Sequence, residues 1–216
     1  SMTLAPHLAQ LDADVAYLAV SDQVEPLGPT PSLAGSVPVL CEGRYKPIAQ
    51  ISPRESVQTV ENGPVKVLGK LSRLVPARGS FCPVRLRAPY FGLQRDIVVA
   101  PDQKLVINKP MVEYMFGCEA VLVRARNLVN GTSAIWADDG LLVTYHQLIL
   151  PEHETIFAAG ASVESMFLGR LRRKPEHHAA SLLAPVAQSR LPEHRRSIYP
   201  VLRPFDAVTL IEHCAA

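Results

Sequence analysis

Residues 83–169 carry the segments PVRLRAPYFG (83–92), DIVVAPDQKLVI (96–107), FGCEAVLVRARNLVNG (116–131) and VTYHQLILPEHETIFAAGASVES (143–165). β-Branched residues fill these segments, while Pro, Gly, Asn and Asp separate them. A branched Cβ packs well on a pleated surface and the separators supply turn geometry, so the stretch reads as short strands joined by tight turns. Asn130-Gly131 and Asp138-Asp139-Gly140 are hairpin signals because Gly adopts positive φ without steric cost. Leu148-Ile149-Leu150 is a continuous apolar run, the pattern of a strand buried on both faces. The prediction is an all-β domain of antiparallel hairpins, with strands over 83–88, 96–100, 104–108, 119–124, 141–150 and 154–159.

Upstream, VKVLGKL extends the same pattern over 64–71, with Asn62-Gly63 as its turn. PLGPTP (26–31) reads as a linker, since its prolines remove backbone donors and disfavour helix in their predecessors. Before it, Leu4, Leu8, Leu11, Val15 and Leu18 fall at helical spacing, although VAYLAV fits a strand equally well. Downstream, HHAASLLAPVAQSRL is a helix candidate stopped near Pro192, and DAVTLIEH closes a mixed tail. The expected organisation is an extension and linker over 1–30, a β domain over 31–170, and a tail over 171–216 packed on that domain.

Composition excludes several classes of function. The chain has 216 residues, 48% of them hydrophobic, which suits one substantial core. A net charge of +2 with 19% charged residues leaves no strong field for nucleic acid or an anionic membrane surface. RLRRK (170–174) has no interleaved aromatics and reads as a solvated run. No apolar run approaches the ~18 residues of a membrane span, and no secretory signal is visible, so a cytoplasmic location is the expectation. Cys41, Cys82, Cys118 and Cys214 form no C-x-x-C pair, which argues for reduced thiols, with Cys41 and Cys82 buried as small hydrophobes. No cofactor and no metal site are expected, and His177, His178 and His194 read as surface residues because their spacing matches no zinc motif.

The succession Pro83-Val84-Arg85, Ala100 to Gln103, Phe116-Gly117, Val123-Arg124-Ala125 with Leu128, Tyr145, His153-Glu154, Gly160 and Glu164-Ser165 resembles the bacterial Hedgehog/intein (Hint) domain family. The resemblance extends over about 31–212 and is densest over 83–169. It implies a Hint-like fold with a mixed or helical C-terminal tail. It also implies a protein that cuts its own backbone, with an N-terminal Cys nucleophile and a Thr-x-x-His or Ser-x-x-His motif that polarises the scissile peptide. Here that motif reads Ala100-Pro101-Asp102-Gln103, with Ala100 under the hydroxyl residue and Gln103 under the histidine. Gln147 stands where a family histidine follows Tyr145 by two residues. His146 is one residue away and would face the opposite side of a strand. Aligning Pro47, Ile48 and Ile51 with the family's Pro-Val-x-x-Leu puts Ser32 under the nucleophile, whereas aligning Gly35-Ser36 with its Gly-Thr puts Pro31 there. Neither is a cysteine.

An acyl shift needs a hydroxyl or thiol against the preceding carbonyl, plus groups that stabilise the oxyanion and protonate the leaving amine. Ser32 supplies a hydroxyl, but serine depends on a neighbouring base more than cysteine does. Gln103 cannot titrate, and positioned proton transfer is worth about 10²- to 10⁴-fold in rate. The preferred expectation is therefore a degenerate Hint-like domain without self-cleavage, acting as a binding, assembly or structural module for a protein partner or fused domain. Two alternatives remain open. One is an autoprocessing domain using Ser32 with His146 or His153 as base. The other is a hydrolase acting on an external substrate around His153, with Glu164 as its orienting carboxylate.

Overall fold

The computed structural model describes residues 18–21, 30–179, 181, 183–184 and 186–214, the first four by backbone alone. In chain order the strands are β1 Leu18–Ser21, β2 Leu33–Ala34, β3 Pro38–Cys41, β4 Arg44–Pro47, β5 Ser56–Thr59, β6 Gly63–Lys66, β7 Gly69–Pro76, β8 Val84–Leu86, β9 Ile97–Val99, β10 Lys104–Ile107, β11 Val121–Arg124, β12 Ala134–Trp136, β13 Leu142–Ile149, β14 Thr155–Ala158 and β15 Ala161–Glu164. Among the described residues three α-helices accompany them: α1 Pro110–Phe116, α2 Pro175–Ala179 and α3 Pro204–Cys214.

The strands form two sheets. One runs β1-β7-β13-β2-β9-β8-β12, and the other β11-β10-β15-β14-β3-β5-β6 with β4 on β3. Among the strand pairs of the described residues only β1 and β7 run parallel. The longest ladder joins β7 to β13 without a bulge, from Leu142↔Pro76 to Ile149↔Gly69. The predicted strand over 64–71 is two strands, because the chain changes sheets at Val67-Leu68. Val67 bonds back to Glu55, whereas the Leu68 N–H reaches the carbonyl of Ile149. Similar crossings occur between β2 and β3, β9 and β10, and β13 and β14. Ala100 to Gln103 and His153 sit at such corners, while Ser32 lies one residue ahead of β2.

Val39, Ile51, Val57, Leu105, Val121 and Val163 are fully buried in the main core, which both sheets share. α3 adds Ala207 and Leu210 to it. A second cluster joins Leu71 of β7 and Ile149 of β13 to Leu183, Val186 and Leu191 of the tail. The tail also crosses the edge of β11. The Leu122 N–H donates to the Pro200 carbonyl, the Leu202 N–H donates to the Leu122 carbonyl, and Leu122 forms a parallel bridge with Val201.

The chain is thus mostly antiparallel β with a helical C-terminal tail. Among the described residues no helix is long and apolar enough to cross a membrane. The long tail helix expected after His177 is absent, and α2 stops at Ala179. Ser181 accounts for the stop. Its Oγ donates to the His178 carbonyl and accepts the Leu183 N–H, a local bonding pattern that competes with helix continuation. DAVTLIEH belongs instead to a regular helix begun by Pro204, a residue suited to the first helical position. α1 was not signalled by the sequence reading, although Pro110 opens it and Gly117, at φ 65°, closes it in the left-handed conformation. Leu18 lies in a strand, and the other apolar positions of the N-terminal periodicity and most of the linker fall outside the described residues. All four cysteines are free; Cys41 is buried as expected, but Cys82 is only half-buried, since it lies in the loop before β8.

Candidate functional site

Ser32 enters the first sheet one residue ahead of β2. Its carbonyl accepts the Ala100 N–H at 2.9 Å, and the next residue, Leu33, pairs with both Val99 and His146. Ser32 is buried, and its Oγ donates back to the Thr30 carbonyl at 3.1 Å. The turn that should carry the proton-transfer group is therefore tied directly to the candidate nucleophile.

That turn is closed by the Gln103 N–H on the Ala100 carbonyl at 3.0 Å. Ala100 packs against Val75, Phe81 and Tyr145, with no polar atom to offer. The buried Gln103 amide donates from Nε2 to the carbonyls of Lys104 at 3.2 Å and Glu164 at 3.1 Å. Its donor capacity is turned towards β10 and β15.

On β13 the unbroken register sets His146 and Gln147 on opposite faces. His146 Nδ1 lies 2.6 Å from Ser72 Oγ, a pairing across 74 residues of sequence. Burial pulls the His146 imidazole down to about 4, and the cation of nearby Lys70 adds to the effect. Lys70 is itself buried and donates to the Ala49 carbonyl at 2.6 Å. At neutral pH the His146 ring is uncharged. Gln147 is buried, and neither its Nε2 nor its Oε1 has a hydrogen-bond partner among the described residues. Pro31, Gln103, His146, Gln147 and Glu164 border one small void, and Ser32, Ser72, Arg73, Tyr145 and Gln147 border another. Each holds about 10 Å³. That is on the scale of one water molecule and far below a substrate cavity.

His153 and Glu164 come together as a second group. Ile198 donates its N–H to His153 Nδ1 at 3.2 Å, which leaves the ring proton on Nε2, 3.0 Å from Glu164 Oε2. Glu164 Oε1 accepts from Lys104 Nζ at 2.7 Å. Both ring nitrogens are engaged, and the ring is buried beside Phe167, with centroids 4.9 Å apart. Glu154 and Ser165 close the adjoining corner, because Ser165 Oγ accepts the Glu154 N–H and the Ser165 N–H returns a bond to the Glu154 carbonyl. Burial, with the charge of Glu61 nearby, pushes the Glu154 carboxyl up.

The four candidate catalytic residues thus divide. Ser32 and His146 lie on neighbouring strand segments, while His153 and Glu164 lie together at the tail. Gln103 bonds to the Glu164 carbonyl and borders the same small void as His146. The sequence reading missed Ser72 and Lys70, whose only signal was polarity, shared with Arg73, among the apolar residues of GKLSRLV (69–75). It also misplaced two histidines. His178 and His194 are buried, because each donates from Nε2 to a carbonyl, of Leu183 and Leu150 respectively. Among the described residues no group of three or more His, Cys, Asp or Glu side chains is placed to hold a metal ion.

Comparison with protein-family models matches residues 34–170 to the Hint domain. No curated protein matches the chain.

Proposed function

Since the chain belongs to the Hint domain family, we propose that it is a Hint domain that does not cut its own backbone and serves as a binding or assembly module for a protein partner or fused domain. The observation that carries this reading is the Gln103 amide. At the position matching the family histidine, it is spent on the carbonyls of Lys104 and Glu164. A carboxamide cannot pass a proton to a leaving amine, and the methyl of Ala100 cannot help it. Positioned proton transfer is worth about 10²- to 10⁴-fold in rate, and because cooperating groups act as a unit, losing them leaves little catalysis.

A second reading, self-cleavage before Ser32, draws support from His146. Its partner on β2 is Leu33, the residue after Ser32, and its imidazole is uncharged at neutral pH, although a ring held down to about 4 is a weak base. Hydrolysis of an external substrate around His153 is less well supported, because Ile198 occupies the free nitrogen and the adjoining voids are too small. Incubation with dithiothreitol or hydroxylamine, followed by intact-mass measurement, separates the readings. The chain is expected to keep its full mass. Time-dependent loss of residues 1–31, abolished by Ser32→Ala, would establish self-cleavage in its place.

A further inference from the structure

A different part of the molecule carries a cleft. β10 stays paired with β11 as far as Ile107↔Val121, but its pairing with β15 is confined to Leu105↔Val163. Beyond Leu105 the two strands part, and the space between them opens into a cleft of about 630 Å³. This falls within the range of about 300–1,000 Å³ typical of small-molecule sites.

One wall is held in place by backbone. The Gln94 N–H bonds to the Ala159 carbonyl at 2.8 Å, and a Cβ on Gly160 would come within 2.4 Å of the Gly92 carbonyl oxygen. Only glycine permits that contact. Beside it, Phe91 adopts φ 58°, an unfavourable conformation for an aromatic residue, and it lines the cleft. Leu105, Ile107 and Ile211 supply further apolar surface. Among the described residues the lining includes one charged side chain, Lys109, and no carboxylate. Lys109 is exposed and forms no salt bridge among the described residues.

We propose that this cleft binds a small amphipathic carboxylate, with its apolar chain against Leu105, Ile107, Phe91 and Ile211 and its carboxylate at Lys109. Apolar area supplies most of the affinity, and the single cation in a lining free of acids sets the preference for an anionic head. The site shares no lining residue with the voids around Ser32, so it stands or falls independently of cleavage.

Calorimetric titration with decanoate, below its micelle threshold, tests the assignment, with decanol and decylamine as matched probes. One decanoate per chain is expected, binding about 3- to 10-fold more tightly than decanol, with Lys109→Gln removing that difference. Cys214 also lines the cleft and provides a reporter that does not depend on affinity. Decanoate should slow its alkylation by iodoacetamide, read by peptide mass, and leave that of Cys82 unchanged. Equal binding of all three probes, no effect of Lys109→Gln, or unprotected Cys214 at saturation would each overturn the proposal. Capture of a short apolar peptide through its C-terminal carboxylate, without capture of decanoate, would overturn it in favour of a peptide ligand.

Discussion

Gln147 shows how a single side chain can cost stability. Its amide carries two donors and an acceptor into a buried site where neither atom has a partner among the described residues. An unmet buried polar group costs roughly 1–3 kcal/mol. Gln147→Leu, close in volume and free of polar atoms, is therefore expected to stabilise the fold by about 1–2 kcal/mol. Urea unfolding monitored by circular dichroism checks this, and a midpoint at or below that of the parent would refute it. The residue also marks how far sequence reading reached. The opposite facing of His146 and Gln147 followed from the two-residue period of a strand. The bond from His146 to Ser72 did not, because it joins positions 74 residues apart and depends on the β7–β13 register. His153, in the corner before β14, and Glu164 of β15 are only eleven residues apart in sequence and were legible as a pair.

Among the elements, the tail after β15 is fastened by a buried imidazole. His194 Nδ1 accepts the Leu168 N–H at 3.0 Å, while its Nε2 donates to the Leu150 carbonyl at 2.9 Å. The first of these bonds requires the neutral ring, since a proton on Nδ1 would face the Leu168 N–H. Burial, reinforced by His153, accordingly holds the His194 pKa below its usual value. A base whose folded pKa lies below its unfolded value of about 6.5 contributes stability that is complete above that pH and is lost as pH falls beneath it. Thermal unfolding between pH 8 and pH 5 should show a flat Tm above about pH 7 and a decline below about 6.5. His194→Gln should lower Tm at pH 8 and flatten the decline, with His146 sustaining the remaining slope. Parallel curves for parent and variant would exclude His194 as the titrating group. The tail was the element least legible in sequence, because helical spacing in HHAASLLAPVAQSRL gave way to side-chain bonds of His178 and Ser181. The central strands were legible because β-branched runs and turn residues agree there with the tertiary environment. β4 was not, since Arg44, Tyr45 and Lys46 present an exposed polar face without apolar alternation.

At the scale of the whole molecule, the family match ends at residue 170 while the packing does not. Leu183, Leu191 and Leu210 are fully buried, and they cover Leu71 and Ile149 or complete the main core. Stripping one such side chain typically costs about 2–5 kcal/mol, and whole domains have only about 5–15 kcal/mol in hand. A chain ending at residue 170 is therefore expected to lose fixed tertiary structure, seen as a lost near-ultraviolet dichroism signal and gain of anilinonaphthalene sulfonate binding. A truncated chain with native-like spectra and unchanged Tm would show that the tail is dispensable. The fold class was readable from composition and turns, whereas this dependence rests on contacts between segments more than 100 residues apart, such as Leu71 and Leu191. The bridge from Val201 to Leu122 has one more consequence. β11 ends the second sheet, and the passing segment occupies backbone groups that would otherwise be open to a strand from another molecule. Residues 200–202 thus act as a guard against self-association, and chains in which they detach would be the ones to seed aggregates.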